Sequence, residues 1–202
     1  MSDYTVHVVD DEPDVRGAVQ LLLKSMGYTV ICYENGQSFL EQFSGQGSGC
    51  IILDVRMPGK SGLAVQEALI DQGCLLPIIF MSGHGDIPMA VKAVQRGALD
   101  FLEKPFNDQA LLDLVERAKL TCAQHTQTQA EISEIQQQMA ELTPREKEVM
   151  QCLVEGLSNK LIARKLDVSP RTVEIHRSRV FQKMQVENAQ QLVKRVVQVR
   201  SL

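Results

Sequence analysis

The first 120 residues hold five short apolar runs, at 5–9, 29–33, 50–53, 77–81 and 100–102. Each is followed by a stretch of helical periodicity, at 15–26, 36–43, 63–72, 87–96 and 108–119. Alternation of this kind leaves few folds open, because a helix between two strands carries the chain back across the sheet and makes them parallel. Right-handed crossovers then give a doubly wound α/β sheet, with strand order 2-1-3-4-5 expected for five strands. The run Ile51, Ile52, Leu53 is apolar without alternation, as a strand buried on both faces requires. Sites in such sheets form beyond the carboxyl ends of the strands, where the order switches between strands 1 and 3.

Charge divides the chain into parts. The net charge is −7 over residues 1–120, −3 over 121–142 and +6 over 143–202, within a total of −4. An acidic front and a basic back predict two domains with different partners, the basic one suited to nucleic acid. Between them, "TCAQHTQTQAEISEIQQQMAEL" has no Gly or Pro and reads as a helical linker. Ile132, Ile135, Met139 and Leu142 are spaced 3-4-3 along it, a fragment of the seam of a coiled coil. That linker is either a solvated helix or one that pairs with a copy of itself. Five scattered cysteines without a C-x-x-C pair fit reduced thiols in a cytosol. There is no apolar run of about 18 residues and no secretion signal, so no membrane association and a cytoplasmic location are expected.

The chemistry-bearing residues gather at one sheet edge. Strand 1 ends in Asp10, Asp11 and Glu12, and strand 3 ends in Asp54. Carboxylates converging this way repel one another unless a cation neutralises them, and oxygen ligands on loops suit Mg²⁺. Ser82 ends strand 4, and Lys104, followed by Pro105, ends strand 5. A divalent metal, a hydroxyl and an ammonium at one edge suit a phosphoryl group, with Asp54 as its acceptor.

The stretches "VVDDE", "LDVRMPGKSGL", "MSGHGD" and "DFLEKPF" resemble the motifs of response-regulator receiver domains, in matching order over residues 1–120. The resemblance implies that Asp54 takes a phosphoryl group from a sensor histidine kinase. It implies that Asp10, Asp11 and Asp54, with the backbone carbonyl of Arg56, hold Mg²⁺. Lys104 would be the phosphoryl partner, in cis to Pro105, with Ser82 the switch hydroxyl and Phe101 the aromatic switch. Ser82 stands where Thr is more frequent, and Phe101 lacks the hydroxyl of a Tyr. Two other classes compete. An aspartyl phosphatase of the haloacid-dehalogenase type needs a D-x-D-x-[TV] pattern after strand 1, which "DDEPD" lacks. A transcription factor controlled by a ligand or partner without phosphorylation would need an apolar pocket, which the acidic edge argues against.

Residues 143–202 show helical patterns alone. "TPRE" is a capping box with Pro at the first helical position. A helix over "NKLIARKL", the turn "DVS" and a helix over "PRTVEIHRSRVFQKM" follow, with Leu161, Ile162, Leu166, Val173 and Val180 spaced to pack together. That is helix-turn-helix logic, with the second helix entering the major groove. "LTPRE", "GLSNKLIA" and "TVEIHR" resemble the LuxR-type DNA-binding domain. Glu174, Ile175 and Ser178 share the outward stripe suited to base edges. Lys160, Arg171, Arg177, Arg179 and Lys183 are expected on phosphates, with Thr172 and His176 beside them. Together the halves resemble response regulators of the FixJ type. The expected arrangement is a receiver domain over 1–120, a helical linker over 121–142 and a DNA-binding domain over 143–202. The expected function is a non-enzymatic regulator that dimerises when phosphorylated, binds promoter DNA and activates transcription with RNA polymerase.

Overall fold

The computed structural model describes residues 4–45, 47–83 and 87–200, with the backbone alone for Ile87 and Pro88. Residues 84–86, within the "MSGHGD" motif, lie outside the described residues. The chain forms two compact units, 1–126 and 127–202.

The first unit is built on β1 (Thr5–Val9), β2 (Thr29–Tyr33), β3 (Gly49–Asp54), β4 (Ile78–Ser82) and β5 (Asp100–Glu103). All pairings are parallel, in the order β2-β1-β3-β4-β5 expected from the sequence. Every residue of β3 and β4 is buried, which accounts for their unbroken apolar runs. The helices are α1 (Pro13–Ser25), α2 (Gly36–Gln42), α3 (Gly62–Asp71), α4 (Ile87–Gln95) and α5 (Asp108–Ala140). Val19 and Leu23 of α1 pack with Leu111, Val115 and Ala118 of α5 on one sheet face. Phe39 of α2, Val65 and Leu69 of α3, and Ala93 of α4 cover the other. α1 begins two residues before the periodic pattern because Pro13 occupies its first turn, where a missing N–H costs nothing.

One helix, α5, runs from Asp108 to Ala140, joining the 108–119 pattern to the segment read as a helical linker over 121–142. No Gly or Pro interrupts it, so nothing stops helix propagation. Its second half belongs to the second unit. Ile135 and Leu142 are buried there with Val149, Ile162 and Leu192, and Arg195 donates to Gln138 Oε1 at 2.9 Å. The 3-4-3 spacing thus packs into the core of its own unit, rather than forming an exposed seam for a copy of itself.

The second unit adds α6 (Pro144–Val154), α7 (Asn159–Lys165), α8 (Pro170–Lys183) and α9 (Ala189–Arg200). Both halves of the Thr143–Glu146 capping box are formed. Gly156, at φ +77°, ends α6 in a conformation that favours glycine. Val173 and Val180 are buried as the pattern requires, whereas Leu161 is half-exposed.

Glu146 does more than cap. It is buried, and Lys183 Nζ, from the end of α8, donates to its carboxylate at 2.7 Å. The Lys183 ammonium, with the Thr143 backbone N–H, holds the Glu146 carboxyl down to about 2, against an ordinary 4.5. On acidification the unfolded chain therefore takes up a proton first. The stabilisation is full above pH 4.5 and is lost as pH falls towards 2. Glu146→Gln is expected to cost about 2–3 kcal/mol at neutral pH, less than a fully buried pair because Lys183 is partly exposed. It should also flatten the acid dependence. Hydrogen exchange of α6 and α8 amides in the full-length protein at pH 6 and pH 3 checks both effects.

Candidate functional site

The carboxyl ends of β1, β3, β4 and β5 form an open cleft of 630 Å³, lined among others by Glu12, Asp54, Arg56, Ser82 and Lys104. Asp10 follows β1, and its carboxylate accepts from the Glu12 backbone N–H at 2.8 Å. Arg16 Nη1 donates to the Asp10 carbonyl at 2.6 Å and braces the turn. Asp54 ends β3, and its Oδ2 accepts from the Arg56 N–H at 2.7 Å. The Lys104–Pro105 bond is cis, and the Lys104 N–H donates to the Ser82 carbonyl at 2.7 Å, tying the β5 loop to the end of β4.

These ties aim the Lys104 ammonium into the cleft. Nζ donates to Asp10 Oδ2 at 2.8 Å, to Asp54 Oδ1 at 2.7 Å and to Glu12 Oε1 at 3.3 Å. Asp10 and Asp54 are both buried, so one cation holds two carboxylates that would otherwise repel in a poorly solvated place. Burial pushes the Asp54 carboxyl up, and its hydrogen bond with Lys104 offsets this only in part. Burial alone would lower Lys104, but its hydrogen bonds to Asp10 and Asp54 outweigh that and hold the ammonium above its ordinary range. The two shifts favour opposite outcomes for the pair: desolvation disfavours the Asp54 anion, whereas the bonds to both Asp10 and Asp54 together favour the Lys104 cation.

The backbone leaves no slack beneath Asp54. A Cβ on Gly62, at the start of α3, would stand 2.2 Å from the Asp54 carbonyl oxygen and 3.0 Å from the Phe80 ring. The Gly62 N–H donates to the Val55 carbonyl at 3.0 Å, so α3 is docked backbone to backbone against the end of β3.

Asp54, Ser82 and Lys104 share this cleft, and Asp10 meets Asp54 through Lys104. Phe101 lies half-buried on β5, against the α4-side core. Asp11 lines the neighbouring cleft with Arg16, Glu34 and Lys60. Sequence reasoning placed Glu12 at this edge without giving it a role, although it reaches Lys104, and missed Gly62. The third acid of "DDE" and the close glycine after "MPGKS" were the signals available. Among the described residues, no three or more His, Cys, Asp or Glu side chains are gathered as a metal cage. The donor set of Asp10, Asp54 and nearby backbone oxygens still suits Mg²⁺, which keeps several waters and takes only one or two carboxylates.

In the second unit, Lys160, Arg171, Glu174, Ile175, Ser178 and Arg179 are exposed. Four other expected DNA contacts are partly buried. Thr172 shares a hydrogen bond with the α8 N-cap residue Ser169 at 2.8 Å. The His176 Nδ1 is buried without a hydrogen-bond partner among the described residues. Arg177 Nη1 donates to Asn159 Oδ1 at 3.1 Å, and its guanidinium lies over the Phe181 ring. Lys183 is engaged by Glu146 and by the Glu141 carbonyl. An internal ion pair at 2.7 Å ties Lys183 of α8 to Glu146 of α6.

Comparison with known proteins bears on both units. Residues 6–116 match the family described as response regulator receiver domain, and residues 140–196 match bacterial regulatory proteins, luxR family. The transcriptional regulatory protein FixJ of Bradyrhizobium diazoefficiens is 42% identical over 94% of this chain and 92% of its own length. The tetrathionate response regulatory protein TtrR of Salmonella typhimurium is 41% identical over 98% of this chain and 94% of its own. The solved structure of the response regulator StyR superposes with a TM-score of 0.80 at 40% identity, covering 96% of this chain and 98% of that one.

Proposed function

The chain belongs to the two-component response regulators that join a receiver domain to a LuxR-family DNA-binding domain, and on that premise we propose that Asp54 is the phosphoacceptor controlling how α8 binds promoter DNA. The family regulates transcription rather than acting as enzymes, and implies a histidine kinase and DNA as partners. The observation that carries the reading is the Lys104 ammonium spanning Asp10 and Asp54 at 2.8 and 2.7 Å. It is a built cation position beside a buried carboxylate whose backbone N–H contact fixes its orientation.

The Arg56 N–H holds Asp54 Oδ2, and Oδ1, released by Lys104, attacks phosphorus as the phosphorus–nitrogen bond of the kinase phosphohistidine breaks. The bonding pair returns to the ring nitrogen, which takes a proton from solvent water as the imidazole leaves. Asp10, Asp11 and Asp54, with the Arg56 carbonyl, would hold Mg²⁺, which would neutralise phosphoryl charge when bound. Lys104 then exchanges Asp54 for a phosphoryl oxygen, the Ser82 hydroxyl donates to another, and Phe101 turns inward. The surface so changed is α4, β5 and the start of α5. Lys92 and Arg96 would pair with Asp100 and Asp113 of a second copy across a two-fold axis. Asp100 here accepts from Arg117 at 2.6 Å, and Arg96 faces Glu67 at 3.9 Å. Dimerisation exchanges such pairs, each contributing about 0–1 kcal/mol, so they set orientation more than affinity. Residues 1–120 form the receiver and 143–202 the DNA-binding part. The phosphorylated homodimer works in the cytoplasm, where promoter DNA is, and engages RNA polymerase to activate transcription. No helix of the described residues is long and apolar enough to cross a membrane.

Sedimentation and DNA footprinting with and without beryllofluoride test this reading. A monomer that becomes a dimer and protects DNA more strongly is expected. An unchanged monomer with unchanged protection contradicts the reading.

On α8, Glu174 would accept from a cytosine amine and Ile175 would touch a thymine methyl, with Ser178 supporting either. Arg171, Arg179 and Lys160 would hold phosphates, and Thr172 and His176 flank them. Glu174→Ala is expected to relax preference at one base pair, with about 1–3 kcal/mol of discrimination lost. Binding-site selection on wild type and variant measures it, and an unchanged preferred sequence counts against Glu174.

A further inference from the structure

Arg177 stands on α8 where a cation is expected to reach for DNA, yet its guanidinium already has two partners inside its own domain. Nη1 donates to Asn159 Oδ1, the first residue of α7, at 3.1 Å. The guanidinium carbon lies 5.1 Å from the centroid of the Phe181 ring, one turn further along α8 and within reach of a cation–π contact. The Phe181 ring engages the centre of the guanidinium and Asn159 one of its ends. The residue is partly buried, unlike Arg171 and Arg179 on the same helix, which are exposed.

Glu174 lies one turn before Arg177 and lines the same small cleft, with Asn159, Ser178 and Phe181. At i and i+3 an aspartate or glutamate and an arginine ordinarily pair. Here no ion pair joins them among the described residues, and Glu174 stays exposed. The guanidinium is drawn towards α7 and the ring instead.

From this geometry we infer that Arg177 is a positioning residue, a clamp between the two helices of the helix-turn-helix, and not a phosphate contact. It sets the angle of α8 on α7 and keeps its own charge away from Glu174. The inference rests on reading α8 as the DNA-contacting helix, and it replaces the expectation that Arg177 holds a phosphate. A phosphate contact needs only a positive charge at the end of a flexible stem. The clamp needs a planar guanidinium that can stack and donate at a fixed angle, which an ammonium cannot do.

Arg177→Lys therefore separates the two roles. The full-length protein is compared with Arg177→Lys, Arg177→Ala, Asn159→Ala and the Arg177→Ala, Asn159→Ala double variant. The probe is the duplex that wild type selects from a random pool. Under the clamp, each variant binds that duplex roughly tenfold more weakly, and the double variant is no weaker than Arg177→Ala. The slope of log affinity against log salt stays at the wild-type value, because no phosphate contact is lost. Arg177→Lys recovering wild-type affinity, with Arg177→Ala flattening the slope by about one, overturns the clamp in favour of a phosphate contact. A second measurement uses the free protein. Slow exchange of the Arg177 Nη1 protons with water in wild type, lost in Asn159→Ala, supports the clamp, and fast exchange in both overturns it. That readout holds even if an arginine variant fails to fold. It also separates the two ideas: slow exchange together with no α8 variant altering DNA binding would sink the reading of α8 and leave the clamp standing.

Discussion

Asp54→Asn is expected to abolish phosphorylation by acetyl phosphate, and with it phosphate-dependent dimerisation and promoter activation. A carboxamide oxygen is a far weaker nucleophile than a carboxylate and brings no charge to a divalent cation. Loss of a sole nucleophile lowers a rate by more than about 10³-fold. The fold should survive. The side-chain carbonyl of the carboxamide can still accept from the Arg56 N–H, which lies 2.7 Å from Asp54 Oδ2 in the wild type, and Lys104 keeps its contact with Asp10. Stability should even rise slightly at neutral pH. Burial pushes the Asp54 carboxyl above its ordinary 3.8, so folding disfavours its charged form there. A variant that melts at or above the wild-type temperature and takes up no label is the expected result. A variant that is unlabelled only because it is unfolded would leave the circular dichroism spectrum of the receiver altered, which is checked alongside.

Gly62→Ala is expected to damage the same site from beneath. A Cβ at that position meets the Asp54 carbonyl oxygen at 2.2 Å, and neither party is the end of a flexible side chain. Either α3 or the end of β3 must move. Overpacking of this kind costs roughly 1–3 kcal/mol, and more where only backbone can yield. For a unit of this size that lowers the melting temperature by roughly 10 °C. The second effect is on chemistry, because a shift at the end of β3 moves Asp54 away from Lys104. Melting and label uptake from acetyl phosphate should both fall, and a variant with wild-type values for both would show that α3 is not rigidly docked there.

The sheet order and the helices around it were readable because each strand is a short apolar run and each helix a separate amphipathic one. Asp54, Ser82 and Lys104 were readable because a doubly wound sheet brings the ends of its strands to one edge wherever the residues lie in sequence. That Asp10 and Glu12 are the acids after β1 that meet Lys104 was not. Adjacent residues after a strand point in different directions, and which of Asp10, Asp11 and Glu12 meets Lys104 depends on the turn that Arg16 braces. That the 108–119 helix and the helical linker form one continuous α5 was not readable, because a change of composition at residue 120 looks like a boundary, although no stop signal is present. Apolar spacing in residues 132–142 said that something would cover that face, without saying whether it was α9 of the same chain or a second copy. On α8, periodicity separated inward valines from outward residues. It could not show that Lys183 and Arg177, both cations on an otherwise polar helix, already have partners within the fold.

The account rests most heavily on Asp54 as the phosphoryl acceptor. The direct measurement is to phosphorylate the full-length protein with acetyl phosphate and Mg²⁺, reduce the acyl phosphate with borohydride, and locate the reduced residue by peptide mass spectrometry. The account predicts one phosphoryl group per chain, labile to base, with the reduced residue at position 54 and the label absent in Asp54→Asn. A phosphoryl group at any other residue, or uptake by Asp54→Asn at the wild-type rate, contradicts it.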